Sequence, residues 1–476
     1  MTLATPPIPL RRLFDAQHEA SRAAVEVPLG LRRDRLLRMR SLLEQGAAAL
    51  AQAVQADFGV RSPQLTEIAD LLLLRTLLSG TLRSLPGWMK PVRVRTPLFL
   101  QPSRAYLQRQ PLGVVGVVSP WNYPLQLALA PVITAMGAGN RVMLKPSELT
   151  PRTSALLDEL IGKAFSPDEL CVVQGDAALA AAFCTLPFDH LFFTGSTAVG
   201  RRVAKAAAAN LTPTTLELGG KSPCVIDASC DIDEAAVKIA HGKLLNAGQT
   251  CIAPDYVLLP RGTEAAFSAA FKKAVSRLFP TIDGNPDYAS IINPRHHDRL
   301  RALLAQAEAA GATLESMEPE PLAAQSETGA RQMAPVLVFN APADSLLMTE
   351  EIFGPILPVL AYDALEGAIA HINAHPRPLA LYWFGADTAA RDKVLAQTVS
   401  GGVTVNDTLM HIAHEHLPFG GVGESGWGAY HGEAGFLRLS QQKPVLLSSR
   451  WARSDLFYPP YGRRFDQAMA LLKRWL

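Results

Sequence analysis

Gly113-Val114-Val115-Gly116-Val117-Val118-Ser119-Pro120-Trp121-Asn122-Tyr123-Pro124 is the stretch whose reading decides the fold. Its continuous β-branched run predicts a strand buried on both faces, which belongs in a parallel sheet covered by helices. Pro124 opens an almost wholly apolar helix running to Met136, stopped by Gly137 and Gly139. Working outward, 141–145 is the next strand, and Pro151 opens a helix to about residue 165. Segments 170–173, 191–194 and 214–218 continue the alternation. The fold class is therefore α/β, a doubly wound parallel sheet with ligands at the carboxyl ends of its strands. Upstream, residues 10–85 read as a layer of helices broken at Gly59. The Pro-rich piece 86–97 then leads into 98–110, an extended arm without a core of its own.

A second centre is Leu244-Leu245-Asn246-Ala247-Gly248-Gln249-Thr250-Cys251. Ile232, Ala235, Ala236, Ile239, Ala240 and Leu244 recur at helical spacing, with Asp231 or Asp233 as the cap and Asn246 and Gly248 as stoppers. Residues 256–259 read as a short buried strand, so Cys251 falls in the turn between helix and strand, where a side chain can face a cleft. A cysteine so placed reads as a nucleophile or, alternatively, as a small buried hydrophobe. A second α/β series follows: a helix through Phe267, Phe271, Val275 and Leu278, strands at 336–339, 380–384 and 402–405, and a helix at 364–373. The polar piece 310–334 reads as a surface loop with a strand inside it, and 465–476 as a short amphipathic helix.

With 476 residues, 48% hydrophobic and 18% charged, the chain builds more than one core and is not disordered. A formal charge of +2 gives no reason to expect a nucleic-acid partner. The five cysteines form no C-x-x-C pair, and their odd number argues against a disulfide framework. Residues 1–10 do not read as a secretory signal, and Asp15 and Glu19 among Arg11, Arg12 and Arg22 argue against a transit peptide. No apolar run reaches the length of a membrane span. A soluble, reduced, cytoplasmic protein is expected. His411, His414 and His416 flank Glu415 without metal-ligand spacing, and no metal is expected.

Three polar groups fall at predicted strand ends. Asn122 precedes a helix, where a carboxamide could donate to a developing oxyanion or simply cap the helix. Glu217 lies between two leucines on an apolar strand. A carboxylate there has a task, or else forms a buried ion pair with Lys221. Lys145 and Glu148 close the second strand, either to meet a nucleotide or to pair with each other. The loop 193–200 (FTGSTAVG) joins a strand to a helix and offers free N–H groups to a phosphate. It matches neither G-x-G-x-x-G nor a P-loop, and alone it decides nothing.

Assembled, these residues resemble the NAD(P)-dependent aldehyde dehydrogenase superfamily over nearly the whole chain. The motifs are Pro120–Pro124, Lys145–Glu148, 193–200, 216–221, Gly248–Cys251, Glu350-Glu351-Ile352-Phe353-Gly354-Pro355 and Pro418-Phe419-Gly420-Gly421, all in the family's order. The short amino end, NAGQTCIAPDY at 246–256, GAYHG at 428–432 and the tail Phe457-Tyr458-Pro459-Pro460-Tyr461 look like the class 3 branch, and within it the bacterial coniferyl aldehyde dehydrogenases. The resemblance implies that Cys251 attacks the aldehyde, Asn122 steadies the oxyanion and Glu217 activates water. Trp121, Lys145, Glu148, Gly195, Ser196, Gly200, Glu351 and Phe353 would hold the cofactor, NAD with NADP also accepted. Tyr123 and Asn406 would meet an aromatic or a medium- to long-chain aldehyde.

The resemblance also implies a domain plan. Residues 1–97 and 112–218 would bind the cofactor, 219–422 would form the catalytic domain, and 98–111 with 423–449 would bridge a homodimer, leaving 450–476 as a tail. His414-Glu415-His416 ahead of Leu417-Pro418 departs from the coniferyl branch near the substrate entrance. Three rival readings remain: an acylating reductase, which would not need Glu217; a cofactor-free thiol hydrolase, which would need a histidine base; and a structural relative without catalysis.

Overall fold

The computed structural model describes residues 7–317 and 331–474. The first layer is helical: Ile8–Ala23, Leu29–Phe58, and a continuous rod from Pro63 to Trp88. Gly59 ends the long helix at φ 89°, a left-handed conformation that costs glycine little. The rod is not uniform, because Glu67–Leu71 forms a π-helical turn between α-helical segments. Leu36, Met39, Leu43, Leu50, Val54 and Phe58 are fully buried, so this layer lies against the core. The helix Gln126–Gly137 is buried at every position, as a helix apolar on all sides must be.

Two large sheets follow. One has the order Gly426–Trp427, Thr214–Glu217, His190–Thr194, Val114–Val118, Arg141–Lys145, Leu170–Val172, all parallel apart from the antiparallel Gly426–Trp427. Chain order runs outward in both directions from Val114–Val118. The crevice between that strand and His190–Thr194 is thus a topological switch point, where such sheets bind ligands. The other sheet has the order Thr313–Ser316, Val336–Phe339, Ile356–Tyr362, Tyr256–Pro260, Pro223–Ile226, Ala380–Phe384, Gly402–Val405, parallel apart from its first strand. A three-stranded antiparallel sheet joins Val92–Val94, Arg104–Pro111 and Ser440–Leu447.

Several boundaries differ from the sequence reading. The helix expected from Pro124 begins at Gln126, because Leu125 and Gln126 donate their N–H groups to Asp70 from the first layer. In the arm, Leu98–Leu100 is a 3₁₀ turn and the strand begins at Arg104. The last helix is Arg463–Lys473, starting two residues earlier than expected, and 475–476 lie outside the described residues. Within the polar piece the strand is Thr313–Ser316, while 318–330 lie outside the described residues. Among the described residues no helix is long and apolar enough to cross a membrane.

Candidate active site

Three segments converge on one cleft of about 590 Å³. The loop after Val114–Val118 brings Trp121 and Asn122; the end of Thr214–Glu217 brings Glu217; the turn after Ile232–Leu244 brings Cys251. Asp231 caps that helix by accepting from the Glu234 N–H, and the chain then turns sharply. Asn246 and Ala247 both take left-handed φ, 52° and 53°, and Gly248 takes 76°. For Ala247 this costs about 1–2 kcal/mol. Strain of this kind persists where surrounding contacts fix it, often beside a functional group. The contacts are visible: a Cβ on Gly248 would collide with the Gly354 carbonyl, so the cysteine turn lies directly on the segment carrying Phe353.

The loops are cross-tied. Asn122 donates one Nδ2 hydrogen to the Gln249 carbonyl at 3.1 Å, two residues before Cys251. Gln249 is itself held, donating to the Asn246 and Ser290 carbonyls and accepting from the Ile292 N–H. Asn122 is not the cap of the following helix, which leaves the donor reading. Tyr123 is buried beneath the loop with its hydroxyl 2.6 Å from Thr250 Oγ1, and it does not line the cleft.

Glu217 is 3% exposed, and among the described residues neither carboxyl oxygen has a hydrogen-bond partner. The expected alternative, an ion pair with Lys221, is not formed: Lys221 pairs with Asp255 and donates to the Leu347 and Glu350 carbonyls. Burial alone pushes the Glu217 carboxyl well above the usual range. Cys251 is partly exposed to the cleft, and burial, then Glu351 and Glu217, push its thiol up to about 12. Glu351 and Glu217 thus favour the neutral form of the thiol.

Farther along the cleft, Gly195 and Ser196 precede the helix Thr197–Ala208, whose first N–H groups are open to an anion. Gly195 is tight, since a Cβ there would meet the Phe193 ring at 2.6 Å. Gly200 faces away from the cleft, and its missing Cβ lets the helix approach Leu218. It is a packing residue, not a cleft residue. Glu351 accepts from the Gly220 N–H, while its buried Oε1 has no partner; burial, with Asp255, raises it to about 8. Such an oxygen fits a ligand hydroxyl. Phe353 packs edge-on to Trp121 at 5.5 Å, also with left-handed φ, 52°.

Other expected residues stand apart. Lys145 is buried and reaches the Pro146 carbonyl at 2.7 Å and Glu148 at 3.5 Å, and burial lowers its pKa. The two form a half-buried pair beyond the cleft lining. Asn406 is exposed and spends both ends of its amide on the Gly385 backbone, so it does not face Cys251 across the cleft. Among the described residues no three His, Cys, Asp or Glu side chains group to hold a metal. Sequence reasoning missed Arg299, which holds the Glu351 and Ile352 carbonyls, and His296, whose ring lies 5.3 Å from Trp121. Both come from the helix Pro294–Ala309, and no local pattern in it marks either.

Residues 10–445 match the Aldehyde dehydrogenase family. The "Probable coniferyl aldehyde dehydrogenase" of Pseudomonas aeruginosa is 47% identical, over 96% of this chain and 95% of its own. Aldehyde dehydrogenase family 3 member A2 of Mus musculus is 38% identical, over 93% and 90%. The solved substrate-bound state of Staphylococcus aureus AldH superposes with a TM-score of 0.91 at 35% identity, covering 97% of this chain and 99% of that one. A strand-end carboxyl, a cleft cysteine and an amide donor thus meet in a chain that belongs to the aldehyde dehydrogenase family, an oxidoreductase acting on aldehydes with a nicotinamide cofactor.

Proposed function

We propose that Cys251, Asn122 and Glu217 oxidise an aromatic aldehyde of the coniferyl type to its acid, with NAD preferred over NADP. The observation that carries this is the cleft itself, where a nucleophile, an amide donor and an unpaired carboxyl meet on the walls of one dinucleotide-sized space. The Cys251 sulfur adds to the aldehyde carbon. Its thiol is protonated near neutral pH, so the proton must leave as the bond forms, and Glu217 is the unpaired group that can take it. The carbonyl oxygen becomes an oxyanion, met by the second Asn122 N–H and the Cys251 backbone N–H. Bound nicotinamide supplies the hydride acceptor for the collapse of that oxyanion to a thioester. The proton taken from the thiol passes from Glu217 to solvent before hydrolysis, so Glu217 can take a proton from water. The hydroxide adds to the thioester carbon, the sulfur leaves as thiolate and recovers the proton from Glu217, and the acid leaves. A carboxyl raised well above its usual range by burial suits this task better than a fully acidic one.

Glu351 would hold the nicotinamide ribose and Phe353 with Trp121 the ring side, while Ser196 and the following helix N-terminus would take the pyrophosphate. Lys145 and Glu148 would meet the adenosine ribose, and the Glu148 charge disfavours a 2′-phosphate. We read 1–97 with 112–218 as the cofactor-binding part and 219–422 as the catalytic part. The three-stranded sheet is read as the seam of a homodimer, since Val92, Val94, Leu446 and Leu447 are exposed on it. Retaining Glu217 argues against an acylating reductase. One experiment tests the reading: NADH or NADPH formation with coniferyl aldehyde, benzaldehyde and decanal. Highest kcat/KM with coniferyl aldehyde and NAD is expected. A preference for decanal overturns the substrate class, and a preference for NADP overturns the cofactor choice.

A further inference from the structure

Beneath the Asn122 loop lies an ion pair that the mechanism does not use. Arg61 and Asp70 are both fully buried, with Arg61 Nη2 2.6 Å from Asp70 Oδ2. The other guanidinium nitrogen, Nη1, donates to the Asn122 main-chain carbonyl at 2.6 Å. Asp70 Oδ1 accepts from the N–H groups of Leu125 at 3.2 Å and Gln126 at 2.9 Å. The pair thus grips both ends of the turn 122–126. At one end it holds the carbonyl of the residue read as the oxyanion donor, and at the other it satisfies backbone donors at the start of the buried helix. The guanidinium is clamped in place by the Phe58 and Tyr123 rings, 4.8 and 5.0 Å from its carbon.

A second observation points the same way. Asp70 lies in the π-helical turn Glu67–Leu71. A π turn inside an α-helix is rare and frequently marks a functional site, because its one extra residue re-aims the side chains around it. Here it delivers Asp70 into the interior. Stability does not account for the device, because a buried ion pair is often no better than apolar side chains of the same volume. What the pair does supply is geometry. Arginine's planar fork can serve a carboxylate and a carbonyl together, which a lysine cannot.

We propose that Arg61 and Asp70 are positioning residues for the oxyanion site. They fix the backbone of Asn122 so that its amide faces the reacting carbonyl when the aldehyde adds to Cys251. The Asn122 carbonyl also accepts from Asn246 Nδ2 at 3.1 Å, so the same atom couples the pair to the cysteine turn. This rests on the reading of Asn122 as the oxyanion donor.

The test is a double-mutant cycle on single-turnover NADH formation at saturating aldehyde and NAD, with the melting temperature followed in parallel. Asn122→Ala should slow the turnover by about 10²–10³-fold. Arg61→Lys keeps the charge opposite Asp70 but not the fork, and should slow it by about 10²-fold, the typical effect of a small misplacement. In the Asn122→Ala background, Arg61→Lys should change the rate by no more than about twofold, because the group it positions is gone. The Tm shift caused by Arg61→Lys should be the same in both backgrounds. Asp70→Asn, which keeps volume and an acceptor for the helix N–H groups, should repeat the pattern should Arg61→Lys fail to fold. Equal rate factors in both backgrounds, or a wild-type rate in the single variant, overturn the proposal. A wild-type rate in Asn122→Ala itself removes the oxyanion reading, and this proposal with it.

Discussion

Glu217 is where burial and chemistry meet most directly. Among the described residues its carboxyl has no partner, it is raised by desolvation, and the thiol of Cys251 lining the same cleft is raised first by burial as well. Glu217→Gln preserves shape and removes the base, which typically contributes 10²–10⁴-fold. Steady turnover should collapse by that factor while one equivalent of NADH still forms, leaving an acyl-enzyme in the intact mass. With the carboxyl gone, the thiol must lose its proton to solvent. A thiol pushed up to about 12 gains thiolate as pH rises, so the burst in this variant should accelerate steadily from pH 7 to 9. Rapid mixing reads both effects, and unimpaired turnover would make Glu217 a structural carboxylate. At this scale the sequence was informative wherever a polar residue interrupts an apolar strand or follows it, as with Glu217 and Asn122. It misled at Asn406, whose amide is consumed by the neighbouring turn, a local hydrogen-bond choice that residue type alone does not reveal.

Among elements, the close approach of two loops shapes the end of the cleft read as the cofactor's. A Cβ on Gly219 would collide with the Glu351 carboxylate, which sits where it does because Arg299 fixes its backbone. Gly219→Ala should therefore displace the carboxylate without touching either large sheet. With its pKa raised to about 8, Glu351 is mostly neutral near pH 7, and losing a hydrogen bond to it costs about 0.5–1.5 kcal/mol, so the Kd for NAD should weaken by about 2- to 10-fold. Fluorescence titration checks it, and an unchanged Kd would detach Glu351 from the cofactor. Strands and helices were legible because each carries its own period, and the continuous run at 114–118 gave away the parallel sheet. The π turn at Glu67–Leu71 was not, since nothing in its apolar spacing departs from an ordinary helix. The start of the buried helix was misplaced for a related reason: its N–H groups are satisfied by Asp70, 55 and 56 residues away.

For the molecule as a whole, the three-stranded sheet presents apolar side chains that no described residue covers. Leu446 and Leu447 are 50% and 52% exposed on its outer strand, Ser440–Leu447. Light scattering should give twice the 51.2 kDa of one chain, and Leu446→Lys with Leu447→Lys should return the mass to that of one chain. A wild-type monomer would refute the seam. The strand pair Gly426–Trp427 has a consequence of a different sort, in time. It covers the edge of Thr214–Glu217, with the Trp427 indole donating to Thr214, 213 residues earlier in the chain. At about 5–20 residues per second, a ribosome takes about 10–40 s to travel that far. For that interval the nascent first sheet stands with an open edge beside Glu217, able to pair with any passing strand. The carboxyl read as the hydrolytic base is thus among the last to be roofed over during synthesis.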